Sequence, residues 1–219
     1  MSPAELSIKP DHIEDPLAYG LSFHIFIHDD LRAYDAADLH ARFTAWWIDD
    51  VFSVLPNSSK LTLQYYLRVP WISDMDYEHD DVLDRFAHAL RLIAPHMGWP
   101  YGKTYKHKFM LLTALPAIPN VSGLAIQGQS EATASVQGRL SVVAHEFGHT
   151  LGATHEAAGS GRFATESWSL LNWYQCDSNM HPVAPSVYSC MRYTDANERA
   201  IRSYMRHGPV AERPDRWLD

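Results

Sequence analysis

Runs of hydrophobic and polar residues predict three strands and two helices in the first half of the chain. The segments Leu21–His28 and Leu61–Val69 are rich in β-forming residues, whereas Phe109–Leu115 is almost continuously apolar. A continuously apolar run of this length is typical of a strand buried on both faces of a sheet. Between these strands, apolar residues recur at helical spacing over 36–53 and again over 82–97.

The second half of the chain predicts two short strands, a helix and a long segment with little periodicity. The short strands fall at about 121–127 and 132–136, and the helix at about 139–152. About forty residues without a clear apolar pattern follow. A last helix begins at Asp195, where Glu198 three residues later resembles a capping box. The predicted order is β-α-β-α-β-β-β-α, followed by the irregular segment and the last helix.

The composition is that of a folded protein with a net negative charge. Of the 219 residues, 46% are hydrophobic and 12% aromatic, which is enough for a sizeable core in one domain or in two small lobes. Lysine and arginine number 18 against 26 acidic residues, so the net charge is −8. Because an acidic protein repels phosphate backbones, we expect no nucleic-acid partner. The sequence has no apolar run near 18 residues, and we therefore expect no transmembrane segment.

The two cysteines, Cys176 and Cys190, both lie in the last fifth of the chain. They would close a short loop as a disulfide, and the alternative is a pair of buried free thiols. A disulfide implies an oxidising compartment, so we expect a secreted or exported protein. Residues 1–20 contain three prolines but neither a basic start nor an apolar stretch, and we expect an irregular leader segment there rather than a signal peptide. Export would then involve a processed chain, an excised domain or a route without cleavage.

The candidate chemistry is concentrated in residues 145–155, which have the sequence HEFGHTLGATH. Residues four apart on a helix share a face, so His145 and His149 can both bind one metal ion. Glu146 then lies beside the ion, and Gly152 can adopt the positive φ that ends a helix sharply. The chain can turn back at that point and bring His155 to the same ion. Three neutral nitrogen ligands leave a fourth position for water, which is typical of a catalytic zinc site.

This segment matches the pattern H-E-x-x-H-x-x-G-x-x-H, and the sequence therefore resembles the metzincin zinc endopeptidases. The resemblance implies an α+β fold and a single catalytic domain over 1–219. Its upper subdomain, at 21–152, would contain a twisted mixed β-sheet, two backing helices and the active-site helix. A small irregular lower subdomain, at 153–219, would end in the C-terminal helix. The sequence shows no cysteine-switch motif and no glycine-rich calcium repeats, so the branch of the family stays open.

Metzincins carry a methionine turn beneath the metal, and two segments of this chain compete for that position. Residues 189–193 read SCMRY, which is similar to the Ser-x-Met-x-Tyr form of astacins and serralysins and to the Met-x-Tyr spacing of pappalysins. Met191 is therefore expected to pack beneath the metal. Met180 is the alternative, but no tyrosine stands two residues after it. By the same resemblance, Tyr193 would be a fifth, displaceable zinc ligand.

The resemblance also implies that the protein hydrolyses peptide bonds in a protein or peptide substrate. One Zn²⁺ ion held by the three histidines would lower the pKa of a bound water, and Glu146 would act as general base. Tyr193, once released from the metal, would donate a hydrogen bond to the oxyanion. The substrate would lie extended along an edge strand that includes Gly123, Leu124 and Ala125. An ordinary strand with no substrate role is the alternative for this segment.

Two further hypotheses stand beside an active endopeptidase. A zinc-binding interaction domain without catalysis would have no need of Glu146, which is present. A toxin-like effector peptidase, delivered by a secretion machine, would share the chemistry and differ in its biology. We expect the protein to be a monomer.

Overall fold

The computed structural model of this protein describes residues 20–55, 60–165, 172–182 and 188–209. The strands in these ranges are β1 (Leu21–Ile27), β2 (Leu61–Leu67), β3 (His107–Thr113), β4 (Gly123–Ala125), β5 (Glu131–Ser135), β6 (Ser160–Thr165), β7 (Asn172–Asp177) and β8 (Tyr188–Ser189). The helices are α1 (Ala36–Phe43), α2 (Ala45–Val54), α3 (Val82–Met97), α4 (Val142–Thr150) and α5 (Asp195–His207). The expected leader lies outside the described residues except for Gly20. Within the described ranges, no helix combines the length and the apolar character that crossing a membrane requires.

A five-stranded mixed sheet forms the framework of the first two thirds of the chain. Its strand order is β2-β1-β3-β5-β4. Strand β1 is parallel to both β2 and β3, and β3 is parallel to β5, whereas β4 runs antiparallel to β5 at one edge. The apolar strand expected near 109–115 is β3, which lies in the middle of the sheet and is buried along its whole length. The expected α+β fold with a mixed sheet and helices is confirmed.

Alternate residues of the central strands enter two separate hydrophobic cores, because successive side chains of a strand point to opposite faces. Ile25 and Met110 pack in the core that also contains buried residues of α1, α2 and α4. Phe26 and Phe109 pack in the other core, where Phe86 of α3 lies. The sheet is therefore covered on both faces, and α4 is held against the face that α1 and α2 also cover.

The single helix expected over 36–53 is divided into α1 and α2 by Thr44. The backbone of Thr44 leaves the helical region, with φ −130° and ψ −31°. Its hydroxyl donates a hydrogen bond to the carbonyl oxygen of His40 and also contacts the hydroxyl of Tyr65 on β2. A threonine side chain that bonds to the preceding turn competes with helix propagation, which explains the break.

The lower part of the chain contains a second sheet where an irregular segment was expected. Strands β6 and β7 pair antiparallel, and β7 pairs parallel with β8. Cys176 in β7 is joined to Cys190 by a disulfide whose Cα atoms are 5.0 Å apart, so the alternative of free thiols is excluded. A small sheet held by backbone hydrogen bonds and a disulfide does not need the apolar periodicity by which strands are found in a sequence.

Lys108, the second residue of β3, is a fully buried base that connects the sheet to α5. Its Nζ donates one hydrogen bond to the carbonyl oxygen of Gln129 at 2.9 Å and another to the hydroxyl of Tyr204 at 2.7 Å. Burial lowers the pKa of Lys108 to about 7, and the nearby Glu131 opposes that shift. The folded chain therefore favours the uncharged lysine.

We predict that Lys108 makes the free energy of unfolding rise with pH above neutrality. The unfolded lysine, with a pKa near about 10.4, keeps its proton where the folded one has lost it, so raising the pH favours the folded state. The unfolding free energy of the wild type minus that of Lys108→Met should rise by up to about 1.4 kcal/mol per pH unit between about pH 7.5 and 9.5. Urea unfolding of both proteins at several pH values measures it, and parallel curves would contradict the prediction.

Candidate metal centre

Helix α4 and the turn that follows it place the histidines as the sequence predicts. His145 and His149 lie one turn apart on α4, which ends at Thr150. Gly152 has φ +85°, a left-handed conformation that glycine adopts without strain. The backbone N–H of Gly152 donates to the carbonyl oxygen of His149 at 2.9 Å, which closes the helix. The chain then reverses and returns to α4 at His155.

The three imidazoles converge on one point. Nε2 of His155 lies 2.9 Å from Nε2 of His145 and 3.0 Å from Nε2 of His149. Three nitrogen ligands at the usual Zn–N distance in a tetrahedral site are roughly 3.3 Å apart, which is close to this spacing. Within the described residues, three or more His, Cys, Asp or Glu side chains that could hold one metal ion come together at these three histidines. Their ligand atoms all lie within 4.8 Å of one another. The cluster is therefore compatible with a metal site.

Backbone carbonyls orient two of the rings. Nδ1 of His145 donates to the carbonyl oxygen of Asn179 at 2.8 Å, and Nδ1 of His149 donates to that of Ala153 at 3.2 Å. A carbonyl oxygen only accepts hydrogen bonds, so the proton of each neutral ring is on Nδ1. The lone pair on each Nε2 is then directed at the shared point, which is the arrangement that metal-binding histidines require.

The electrostatic surroundings keep the rings uncharged. Burial lowers the pKa of His145 to about 3 and that of His149 to about 4, and neighbouring imidazoles add to both shifts. Burial also lowers the pKa of His155. A metal ion binds neutral imidazole, so these rings are ready to act as ligands near pH 7.

Glu146 is a buried carboxylate beside the cluster, with 5% of its surface exposed. Burial raises its pKa to about 8, and the positive charge of Arg139 opposes that shift. The side chain lies against Gly123 of β4. A Cβ atom on Gly123 would come within 2.7 Å of Oε1 of Glu146, so only glycine allows this contact.

Strand β4 presents an open edge next to Glu146. The N–H of Ser135 donates to the carbonyl oxygen of Ser122, so residues 122 and 124 bond to β5. The backbone groups of Gly123 and Ala125 then point away from β5. Since β4 is the last strand of its sheet, these groups have no strand partner in the described part of the chain. The structure thus brings the expected edge strand and Glu146 together.

Met191, which was expected to pack beneath the metal, lies at the surface, and Met180 packs under α4 instead. Met191 is 41% exposed, whereas Met180 is completely buried. The sulfur of Met180 contacts the Gly148 position on α4, directly under the helix that carries the histidines. The carbonyl oxygen of the preceding residue, Asn179, is the one that accepts from His145.

Tyr193 lies under α4 rather than among the histidines. It is 2% exposed, and its hydroxyl donates to the carbonyl oxygen of Ala144 at 2.6 Å and accepts from Nε1 of Trp47 at 2.8 Å. Burial raises the pKa of Tyr193 well above its usual value, which disfavours a phenolate ligand. The expected roles as displaceable ligand and oxyanion donor are therefore contradicted. Tyr193 instead fixes α4 to α2.

Sequence reasoning missed Asn179 and Asp50, which complete the surroundings of His145. Asn179 is completely buried, and its side-chain amide donates to Oδ2 of Asp50 at 3.2 Å. Neither residue belongs to the histidine motif. The nearest sequence signal is that Asn179 precedes Met180, the alternative methionine.

Comparison with known proteins identifies the class of fold. No family of known proteins matches the sequence. No curated protein matches it either. Among solved structures, the chain is similar to metalloproteinase-II from Bacteroides fragilis, with a TM-score of 0.53, 17% identity, and coverage of 91% of this chain. The match spans 57% of the length of that structure. The protein therefore has a metalloproteinase-like fold, and the histidine cluster lies within it.

We predict that the two methionines differ strongly in their contribution to stability. Met180→Ala should lower the free energy of unfolding by about 2–5 kcal/mol, because it leaves a cavity under α4. Met191→Ala, at an exposed position, should change it by less than about 0.5 kcal/mol. Urea unfolding measures both values. A larger loss for the Met191 variant would contradict the assignment of Met180.

Proposed function

We propose that this protein is a zinc-dependent endopeptidase of the metzincin type. In this proposal, residues 21–152 and 153–219 are the upper and lower subdomains of one catalytic domain. The observation that carries the proposal is the convergence of three neutral imidazoles beside the buried carboxylate of Glu146 and the open edge of β4. A metal site, a base and an extended-peptide site are the three parts that metal-assisted peptide hydrolysis needs.

The donor set fits Zn²⁺. His145, His149 and His155 would hold the ion, since three neutral imidazoles with an open position are typical of catalytic zinc. When bound, zinc supplies Lewis acidity, which polarises a carbonyl group and lowers the pKa of water. The contacts from Nδ1 of His145 and His149 to backbone carbonyls support this assignment, because they fix the ring orientation before the ion arrives.

Glu146 is the proposed general base. Its side chain is buried on the helix between two of the proposed metal ligands, where its carboxylate would accept a proton from water. The carboxyl group then returns that proton to the nitrogen of the leaving amine. Contact with Gly123 limits the movement of the side chain and holds Oε1 at the edge where substrate would lie.

The substrate is proposed to be an extended segment of a peptide or protein. The outward N–H and C=O groups of Gly123 and Ala125 would pair with the backbone of that segment as an added strand. Leu124, which pairs with Thr133 of β5, keeps β4 in register with the sheet. Pairing through backbone groups leaves both ends of the segment free, which favours endopeptidase over exopeptidase activity.

We propose that the protein acts as a monomer in an oxidising compartment outside the cytosol. The disulfide between Cys176 and Cys190 supports export, since such bonds persist in oxidising environments. The effector role considered from the sequence stays a prediction. A zinc-binding domain without catalysis is the second outcome of the activity test below.

We predict that Glu146→Gln keeps the metal and loses peptide cleavage. Removing the base should lower the rate of cleavage by about 10²–10⁴-fold, while the zinc content stays at one equivalent. Cleavage of a mixed peptide library, followed by mass spectrometry, measures the rate. Glu78→Gln, at an exposed position outside the histidine motif, is the matched control. Unchanged cleavage by the Glu146 variant would contradict the proposal, and zinc binding without cleavage by the wild type would favour the interaction domain.

We predict that Ala125→Pro weakens substrate binding without affecting the metal. The substitution removes an outward N–H from an edge strand, where proline does not break the ladder with β5. Loss of one backbone hydrogen bond should lower kcat/KM about three- to tenfold, mainly through KM. Zinc content and melting temperature should match the wild type. If kcat/KM is unchanged with several peptides, the substrate does not pair with this edge.

A further inference from the structure

Asp50 is a partly buried carboxylate that connects α2 to two segments of the lower part of the chain. Its Oδ2 accepts a hydrogen bond from Nδ2 of Asn179 at 3.2 Å and another from the backbone N–H of Tyr193 at 3.3 Å. The backbone N–H of Asn179 also donates to the carbonyl oxygen of Arg192 at 2.9 Å. The two lower segments are therefore held side by side, with Asp50 as their shared acceptor.

The same asparagine is the one that orients His145. Its carbonyl oxygen accepts from Nδ1 of His145 at 2.8 Å, while its side chain is bonded to Asp50. Asn179 is completely buried, and it is held by its side-chain bond to Asp50 together with its backbone bond to Arg192. A chain of two hydrogen bonds therefore runs from the carboxylate on α2, through Asn179, to the imidazole ring of His145.

We propose that Asp50 is a positioning residue for the metal site, which acts through Asn179 to hold Nε2 of His145 towards the other two histidines. The inference rests on the proposed metal site and concerns its affinity rather than peptide cleavage. Partners that orient metal-binding histidines contribute to metal affinity, and their loss weakens it by about 10–100-fold. Asp50 is 95 residues from His145 in the sequence, and only the fold brings the two into one network.

A purely structural role is the competing explanation, because Asp50 also bonds to the backbone of Tyr193. The two explanations differ in whether loss of the acceptor oxygen changes metal binding in a protein that is still folded. Both hydrogen bonds end on Oδ2, so an asparagine at position 50 can still accept both through its amide oxygen. A leucine of similar size fills the same space but accepts neither bond, and it leaves the amide of Asn179 free to move.

The test measures the affinity for Co²⁺ and the absorption spectrum of the Co²⁺ complex, which reports the geometry of the ligands. Asp50→Leu should bind Co²⁺ about 10–100-fold more weakly and with an altered spectrum, and Asp50→Asn should restore both. Asp49→Leu, at the exposed neighbouring position, is the matched control and should behave like the wild type. A chelator competition assay gives the affinities, and circular dichroism verifies that each variant is folded.

Asn179→Leu supplies a second variant in case Asp50→Leu does not fold. It removes the link from the other end while the backbone carbonyl remains, so it should also weaken Co²⁺ binding. If both single variants fold, the double variant should be no weaker than either one alone. Unchanged affinity and spectrum in Asp50→Leu or Asn179→Leu would overturn the inference and leave the proposed metal site intact. A wild-type protein that binds no Co²⁺ would overturn both.

Discussion

The candidate metal centre depends on the absence of a side chain at Gly148. A Cβ atom there would collide with the sulfur of Met180 and the ring of Tyr193, which pack against the underside of α4. That close approach places Asn179 next to His145, where its carbonyl oxygen fixes the ring. The histidine motif positions two ligands on one helix face, but the contact at Gly148 decides how the lower part of the chain meets that helix.

A second glycine allows close contact between α4 and the edge strand β4. Gly123 on β4 leaves space for the side chain of Glu146, so this side chain and the open strand edge are in contact. Helix α4 packs on the sheet in which β4 is the edge strand and the buried strand β3 is central. The three histidines, Glu146 and the strand edge thus have fixed relative positions, which would reduce the cost of organising the proposed reaction at one point.

Local patterns in the sequence predicted those parts of the site that lie close together along the chain. The spacing of the histidines and the positive φ at Gly152 follow from one helix and one turn, and the structure has both. The prediction that Met191 packs beneath the metal failed because the spacing of a methionine and a tyrosine does not show which helix either residue contacts. Tyr193 is 49 residues from Ala144, its acceptor, and Asn179 is 129 residues from Asp50. Such contacts depend on the packing of α2 and α4, which periodicity does not encode.

X-ray absorption spectroscopy at the zinc edge, on protein loaded with one equivalent of zinc, tests the central claim most directly. The account predicts three imidazole nitrogens at about 2.0–2.1 Å and one further ligand that is an oxygen atom, with one imidazole lost in His155→Ala. A sulfur ligand, fewer than three imidazoles, or an unchanged spectrum in that variant would contradict the claim that these three histidines hold the metal.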